Sequence, residues 1–412
     1  MARPHDPPLP ALRALDAFPL REDGQVWLAL RDVDGWTDRL TLLTHAEAQM
    51  AARLDGERSA VEVAAELARH GIPASPSDVS SFAQRLDAAL MLDSPRFRKL
   101  VKARTAAYRK ARARPAHLAG RSYAADPVEL AAEMAAFFSR PGAPGTPPAP
   151  RSRRRPTGLI APHIDFHRGG TGYAWGYRDL LGSTLPALCV VIGVAHRTPR
   201  TPLVLAAKDF ETPLGTVPLA ADLARALEEG APYDLRADEL VHRAEHSAEF
   251  QAVWLAYARK ALGGQTRMLP LLASSCDLVG ADAGARTEAV LERLAGLLEP
   301  MKEDLLLVCG ADLAHIGPRF GDEREPTPQW LAEVEERDRE GLARLAAQDA
   351  RGWLASVQSD GNARRVCGVS AAYAFSRLHK ALYPKAEGEL LHWGHAADPA
   401  GGEVSFAAMS FT

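Results

Sequence analysis

The chain has 412 residues, of which 47% are hydrophobic and 25% charged, with a formal net charge of −3. That length exceeds one ordinary core, so two domains are the default, and the charge gives no phosphate-tracking surface for nucleic acid. No apolar run reaches the ~18–20 residues that span a bilayer.

Residues 1–17, rich in proline, read as a disordered tail ahead of a module at 18–96. Within the module, VWLALRD (26–32) alternates like a strand. Three helices follow, LTHAEAQMAARLDG (43–56), SAVEVAAELARHG (59–71) and SPSDVSSFAQRLDAALML (75–92). Ser59 with Glu62 three residues on is a capping pattern, and Gly56 and Gly71 are stops. A basic helical connector spans 97–117, and a second domain runs from 118 to 412. Asp126-Pro127 opens an amphipathic helix there, and the Pro/Arg segment 140–156 reads as an exposed loop.

From 158 onward, strand and helix signals alternate. Strands are expected at 158–162, 187–195, 267–273, 304–309 and 405–411. Helices are expected at 171–182, 220–229, 247–262, 283–299, 328–357 and 368–382. This alternation predicts an α/β fold with a mixed or mainly parallel sheet flanked by helices.

Histidines punctuate the apolar runs. His163 in APHIDFHRGG, His196 in VVIGVAHRTP and His315 in LLLVCGADLAHIG each lie just past a strand signal. In open α/β sheets the carboxyl ends of strands are where ligands bind, and imidazole is the commonest metal ligand. Asp312 and His315 fall on one face if their segment is helical, so Asp312 either orients His315, reaches a metal or caps a short helix. HRAEH (242–246) matches an inverted zinc-protease pattern, but Ser247-Ala248-Glu249 reads as a first helical turn, which leaves His242 outside the helix. His167 is an extra candidate, and His392 and His395 of HWGH could line a rim. The cysteines, Cys189, Cys276, Cys309 and Cys367, fit no metal-finger spacing and read as reduced thiols of a cytoplasmic protein. Cys367 opens a helix beside Arg364 and Arg365, as either a packed or a reactive thiol.

Taken in order, A-G-x-x-Y-x-x-D-P (119–127), A-P-H (161–163), G-x-x-H (193–196), E-H-S-x-E (245–249), D-x-x-H-x-G (312–317) and V-C-G (366–368) resemble the Memo family, component B of the AmmeMemoRadiSam group. The 18–96 module is similar to PqqD-like winged-helix modules, a small α+β domain that binds peptides or partner proteins. The Memo resemblance implies a fold like that of class III extradiol dioxygenases, which use non-haem iron. It implies Fe(II), with Cu or Zn as other metals, and it matches His163 and His196 to metal-site histidines and His246 to an acid/base. It places the family's thiol ligand at Ala314, so His315 or Asp312 is expected to substitute. The expected set is therefore His163, His196 and His315 on metal, with His246 and Asp312 as catalytic groups. Two functions stay open. One is a metal-dependent oxidoreductase or dioxygenase acting on a small molecule; the other is a non-catalytic partner or scaffold among AmmeMemoRadiSam-type proteins. Neither involves nucleic acid or a membrane.

Overall fold

The computed structural model describes residues 6–22, 24–32, 35–197, 199–274, 282–399 and 401–412. Two compact units divide between Lys110 and Ala111.

In the first unit, β1 (Asp16–Glu22), β2 (Gln25–Arg31) and β3 (Leu40–Leu43) form an antiparallel sheet in that order. Helices α1 (His45–Ala51), α2 (Ala60–Arg69) and α3 (Pro76–Ala88) each begin with a reciprocal capping box, Thr44/Glu47, Ser59/Glu62 and Ser75/Asp78. Each cap side chain is worth ~1 kcal/mol, because it satisfies amides that no helical carbonyl can reach. Val63, Leu67, Val79, Phe82 and Leu86 then build the core against Leu30 and Leu43. Two boundaries differ from expectation. The proline-rich segment, expected as a tail, is bound into the unit from residue 6 on: Leu9 and Leu12 donate to the carbonyls of Arg58 and Leu54, and Arg13 pairs with buried Asp32. The basic connector is mostly a helix of this unit, α4 (Pro95–Lys110), anchored by buried Phe97 and Tyr108.

The second unit opens with β4 (Ala113–Arg114), α5 (Pro127–Ala136), β5 (Gly158–Ala161) and α6 (Phe166–Leu181). Next come β6 (Leu188–Val194), β7 (Leu203–Leu205), β8 (Asp209–Phe210), α7 (Ala221–Glu229), α8 (His246–Leu262) and β9 (Arg267–Ala273). It continues through α9 (Ala283–Leu298), β10 (Leu305–Gly310), β11 (Asp312–Ile316), α10 (Pro328–Ala346) and α11 (Ala350–Gln358). The last elements are α12 (Val369–Leu382), β12 (Gly388–Asp398) and β13 (Gly402–Phe411).

The main sheet is mixed, in the order β11-β13-β5-β10-β6-β9-β7, with β12 paired along β13. Its centre, β5-β10-β6-β9, is parallel, while β13 and β7 run antiparallel. The parallel strands are continuous runs such as LCVVIGV, buried at every position, as strands covered on both faces must be. Two apolar cores result, one on each face, the second gathered around Trp254 of α8.

The 312–316 segment is a strand and not the helical turn weighed from its spacing. Asp312 pairs with Phe406 and His315 with Val404 across a register shift, so strand pairing with β13 overrides the local spacing. The helix expected over 328–357 is two, broken at Gln348, whose φ of 53° lies in the left-handed region, with Asp349 capping the second. Strands β7, β8, β11 and β12 gave no separate sequence signal, because they are short or partly exposed.

Helix α8 begins directly above the ends of β6 and β10. A Cβ on Gly310 would stand 2.6 Å from the Ser247 carbonyl oxygen, and one on Gly193 would stand 2.5 Å from Ser247 Oγ. Glycine is therefore required for this approach. Gly310→Ala should cost ~1–3 kcal/mol by overpacking. Gly296→Ala, at an exposed α9 position with nothing within 4 Å, should stabilise by ~0.5–1 kcal/mol. Urea denaturation of both variants checks the pair.

Candidate metal centre

Three parallel strands deliver the polar residues of one cleft from their carboxyl ends. His163 leaves β5 through Pro162, His196 leaves β6 through Ala195, and Asp312 follows β10 after Ala311. The start of α8 adds its cap Glu245 and its first residue His246, and the turn before α12 adds Cys367.

His163 is almost fully buried. Its Nδ1 lies 2.9 Å from the Gly310 carbonyl, which can only accept, so Nδ1 is the donor and Nε2 points into the cleft. That Nε2 stands 3.2 Å from Cys367 Sγ and 3.6 Å from Asp312 Oδ2. The His163 amide donates to Asp312 Oδ1 at 2.8 Å, which fixes the carboxylate beside the ring. Burial pushes the Asp312 carboxyl up to about 6.

Glu245 organises the other side. Its buried Oε1 accepts from the Ser247 amide at 3.0 Å and from His196 Nδ1 at 3.0 Å, with His246 Nδ1 3.2 Å away. Its Oε2 accepts the His196 amide at 3.1 Å. The His196 ring is thus held by its Nδ1, and the Nδ1 of His246 faces the same carboxylate. Ring centroids are 4.4 Å apart for His196 and His246, 4.9 Å for His163 and His196, and 5.1 Å for His163 and His246.

The electrostatics follow from this crowding. Burial works against a charged His196, yet Glu245 and the Cys367 sulfur outweigh it and hold its pKa well above the usual imidazole range. Burial and the neighbouring His196 push His246 well below that range, so His246 is neutral. Burial opposes ionisation of Cys367, but His163 and His196 draw the thiol down to about 7.

One ligand atom each from His163, His196 and Cys367 lie within 4.8 Å of one another, the spacing of a metal's first coordination sphere. His196, Glu245 and His246 form a second such group. The structure thus brings His163, His196 and His246 together, with Asp312 alongside. His315 belongs to neither group; its Nδ1 faces the Leu313 carbonyl at 3.1 Å and its ring packs against Phe320. The third donor atom of the first group is the Cys367 thiol, and not His315 or Asp312, the expected substitutes for Ala314. Ala314 is a buried strand residue whose amide donates to Ser405 Oγ. The V-C-G motif carries this sulfur, and a cysteine just after Arg364 and Arg365 at a helix start was its local signal.

The remaining candidates lie elsewhere. His242 is buried with Nε2 3.0 Å from the Val204 carbonyl and lies in a 3₁₀ turn over Glu239–Ala244 ahead of α8, so no H-x-x-E-H helical face forms. His167 is an exposed neighbour of Glu133, His392 stacks on Trp175, and His395 meets Glu403. Cys276 lies outside the described residues.

Residues 114–410 match the family model described as Memo-like protein. The chain belongs to this family. A MEMO1 family protein of Methanothermobacter thermautotrophicus is 30% identical over 298 residues, covering 71% of this chain and 96% of that protein. One from Thermus thermophilus is 30% identical over 304 residues, covering 73% and 83%. An Aquifex aeolicus member is 27% identical over 366 residues, covering 87% and 89%. That last match is longer than the second unit, so the likeness reaches into the first.

The thiol environment gives a direct test. Iodoacetamide labelling of Cys367 in metal-free protein, followed by peptide mass analysis, should show a midpoint near pH 7. Cys189, whose burial lifts it to about 12, should stay unlabelled in the folded chain.

Proposed function

We propose that this Memo-like protein is a metal-dependent oxidoreductase with a mononuclear centre on His163, His196 and Cys367. The observation that carries this reading is the convergence of two imidazole nitrogens and a low-pKa thiol within 4.8 Å. The donor set fits a borderline or soft first-row metal. Imidazole and thiolate suit iron(II), zinc or copper and argue against magnesium or calcium. Iron(II) is the metal we propose, since three protein donors leave open positions. When bound, such an ion would polarise a substrate heteroatom and supply one-electron chemistry.

The chain's own residues prepare that position. Gly310 and Glu245 each accept a hydrogen bond from an Nδ1–H, which turns the Nε2 atoms of His163 and His196 toward the donor position. His246, neutral and with Nδ1 3.2 Å from the Glu245 carboxylate, is the proposed proton acceptor, with Nε2 left to take a proton from bound substrate. Asp312 steadies the His163 loop, and at about 6 its carboxyl can carry a proton in mildly acidic conditions.

The 3.2 Å contact between Cys367 and His163 also favours a second reading, a thiolate nucleophile with His163 as its base. Metal separates the two, because a coordinated sulfur resists alkylation.

Metal analysis of anaerobically purified protein tests the proposal. About one equivalent of iron is expected in the unaltered chain, lost in His163→Ala and Cys367→Ser and retained in His246→Ala. Metal-free unaltered protein that takes up none of iron, zinc or copper would overturn it. Because His196 and Cys367 must shed protons before ligating, affinity should fall as pH drops through the raised His196 range, and more steeply below about 7 where the Cys367 thiol also protonates, about tenfold per unit for each proton displaced.

A further inference from the structure

Arg114 and Glu249 form an ion pair with NH1 2.6 Å from Oε2 and both side chains 0% exposed. Neither charge faces the proposed ligands. A buried ion pair holds a fold no better than apolar residues of similar volume, so packing alone does not account for this one.

The other contacts of Arg114 do. Its Nε donates to the His242 carbonyl at 2.5 Å and its NH2 to the Glu245 carbonyl at 2.8 Å, while the guanidinium sits over the Phe210 ring. The first carbonyl lies in the 3₁₀ turn and the second belongs to the cap of α8. One rigid fork therefore spans both ends of the segment that carries Glu245. Glu249, one helical turn past Glu245, holds the fork in plane and accepts from the amides of His117 and Leu118 and from the Tyr123 hydroxyl. Tyr123 is the tyrosine of the A-G-x-x-Y-x-x-D-P segment, which the metal centre otherwise leaves unused.

We propose that Arg114 is a positioning residue: with Glu249 and Tyr123 it fixes the 242–245 turn so that the Glu245 carboxylate meets the Nδ1 atoms of His196 and His246. A lysine cannot do this, because a single ammonium keeps the charge but not the planar fork that reaches two carbonyls and a carboxylate. The inference rests on the metal-centre reading only where it concerns metal affinity.

The test uses full-length, metal-free protein labelled with ¹⁵N-histidine. Long-range ¹H–¹⁵N spectra should show His246 as one Nδ1–H tautomer in the unaltered chain, and as a mixture with the Nε2–H form in Arg114→Met and Arg114→Lys. Zinc affinity, measured by chelator competition, should fall on the order of 10-fold in both, as for lost outer-shell support. Tyr123→Phe should show a smaller shift in the same direction, and it decides the matter if the arginine variants do not fold. Leu294→Ala, a buried α9 change far from the turn in sequence, controls for general loosening and should leave the tautomer unmoved. A single Nδ1–H tautomer in all three clamp variants would overturn the proposal, as would rescue by Arg114→Lys or equal mixing in Leu294→Ala. If the unaltered chain binds no zinc, the metal reading fails while the tautomer measurement still decides this one.

Discussion

One buried carboxylate sets the geometry of the cleft. Glu245 is 5% exposed, and a charge so buried persists only where its oxygens are met by donors. The donors are the amides of His196 and Ser247 and the Nδ1 of His196, with the Nδ1 of His246 beside them. The β6 exit and the start of α8 are thereby tied at one point. The glycines at 193 and 310 let α8 come close enough for that tie, and Ser247 Oγ seals it against the backbone of Val194. Once Glu245 is placed, the direction of two imidazoles follows.

The other half of the centre depends on the sheet. Parallel neighbours β5, β10 and β6 end at one edge, so residues 163, 196 and 312 meet there although sequence separates them widely. His163 is steered by a backbone carbonyl and His196 by a carboxylate, two devices with the same result. Cys367 comes from a turn that Arg365 braces by pairing with Asp322. A thiol set between two imidazoles loses its proton more readily than an isolated one, which suits it to soft metals. That N₂S set differs from the two-histidine, one-carboxylate arrangement typical of non-haem iron oxygenases. Asp312 stands near enough to His163 to support the ligands without joining the close group.

Much of this was legible in the sequence, for physical reasons. Fully buried parallel strands leave long apolar runs, so β6 and β10 and the polar residues that follow them stood out. Caps such as Ser59 with Glu62 are local chemistry and were readable as such. Residues whose role depends on distant partners were not. Cys367 reads locally as a helix-start thiol; only the fold shows that it faces His163. His315 follows the same apolar run as Asp312, but pairing of β11 with β13 places it beside Phe320 instead of in the close group. Arg114 looked like one more cation in a basic stretch, and its buried contacts lie more than a hundred residues away in sequence.

Whether sulfur and two imidazoles share one ion can be read from X-ray absorption of the zinc-loaded protein. The expected spectrum has one sulfur at ~2.3 Å and at least two nitrogens at ~2.0–2.1 Å around zinc, with the sulfur lost in Cys367→Ser. A shell of nitrogen and oxygen alone, unchanged in that variant, would contradict it.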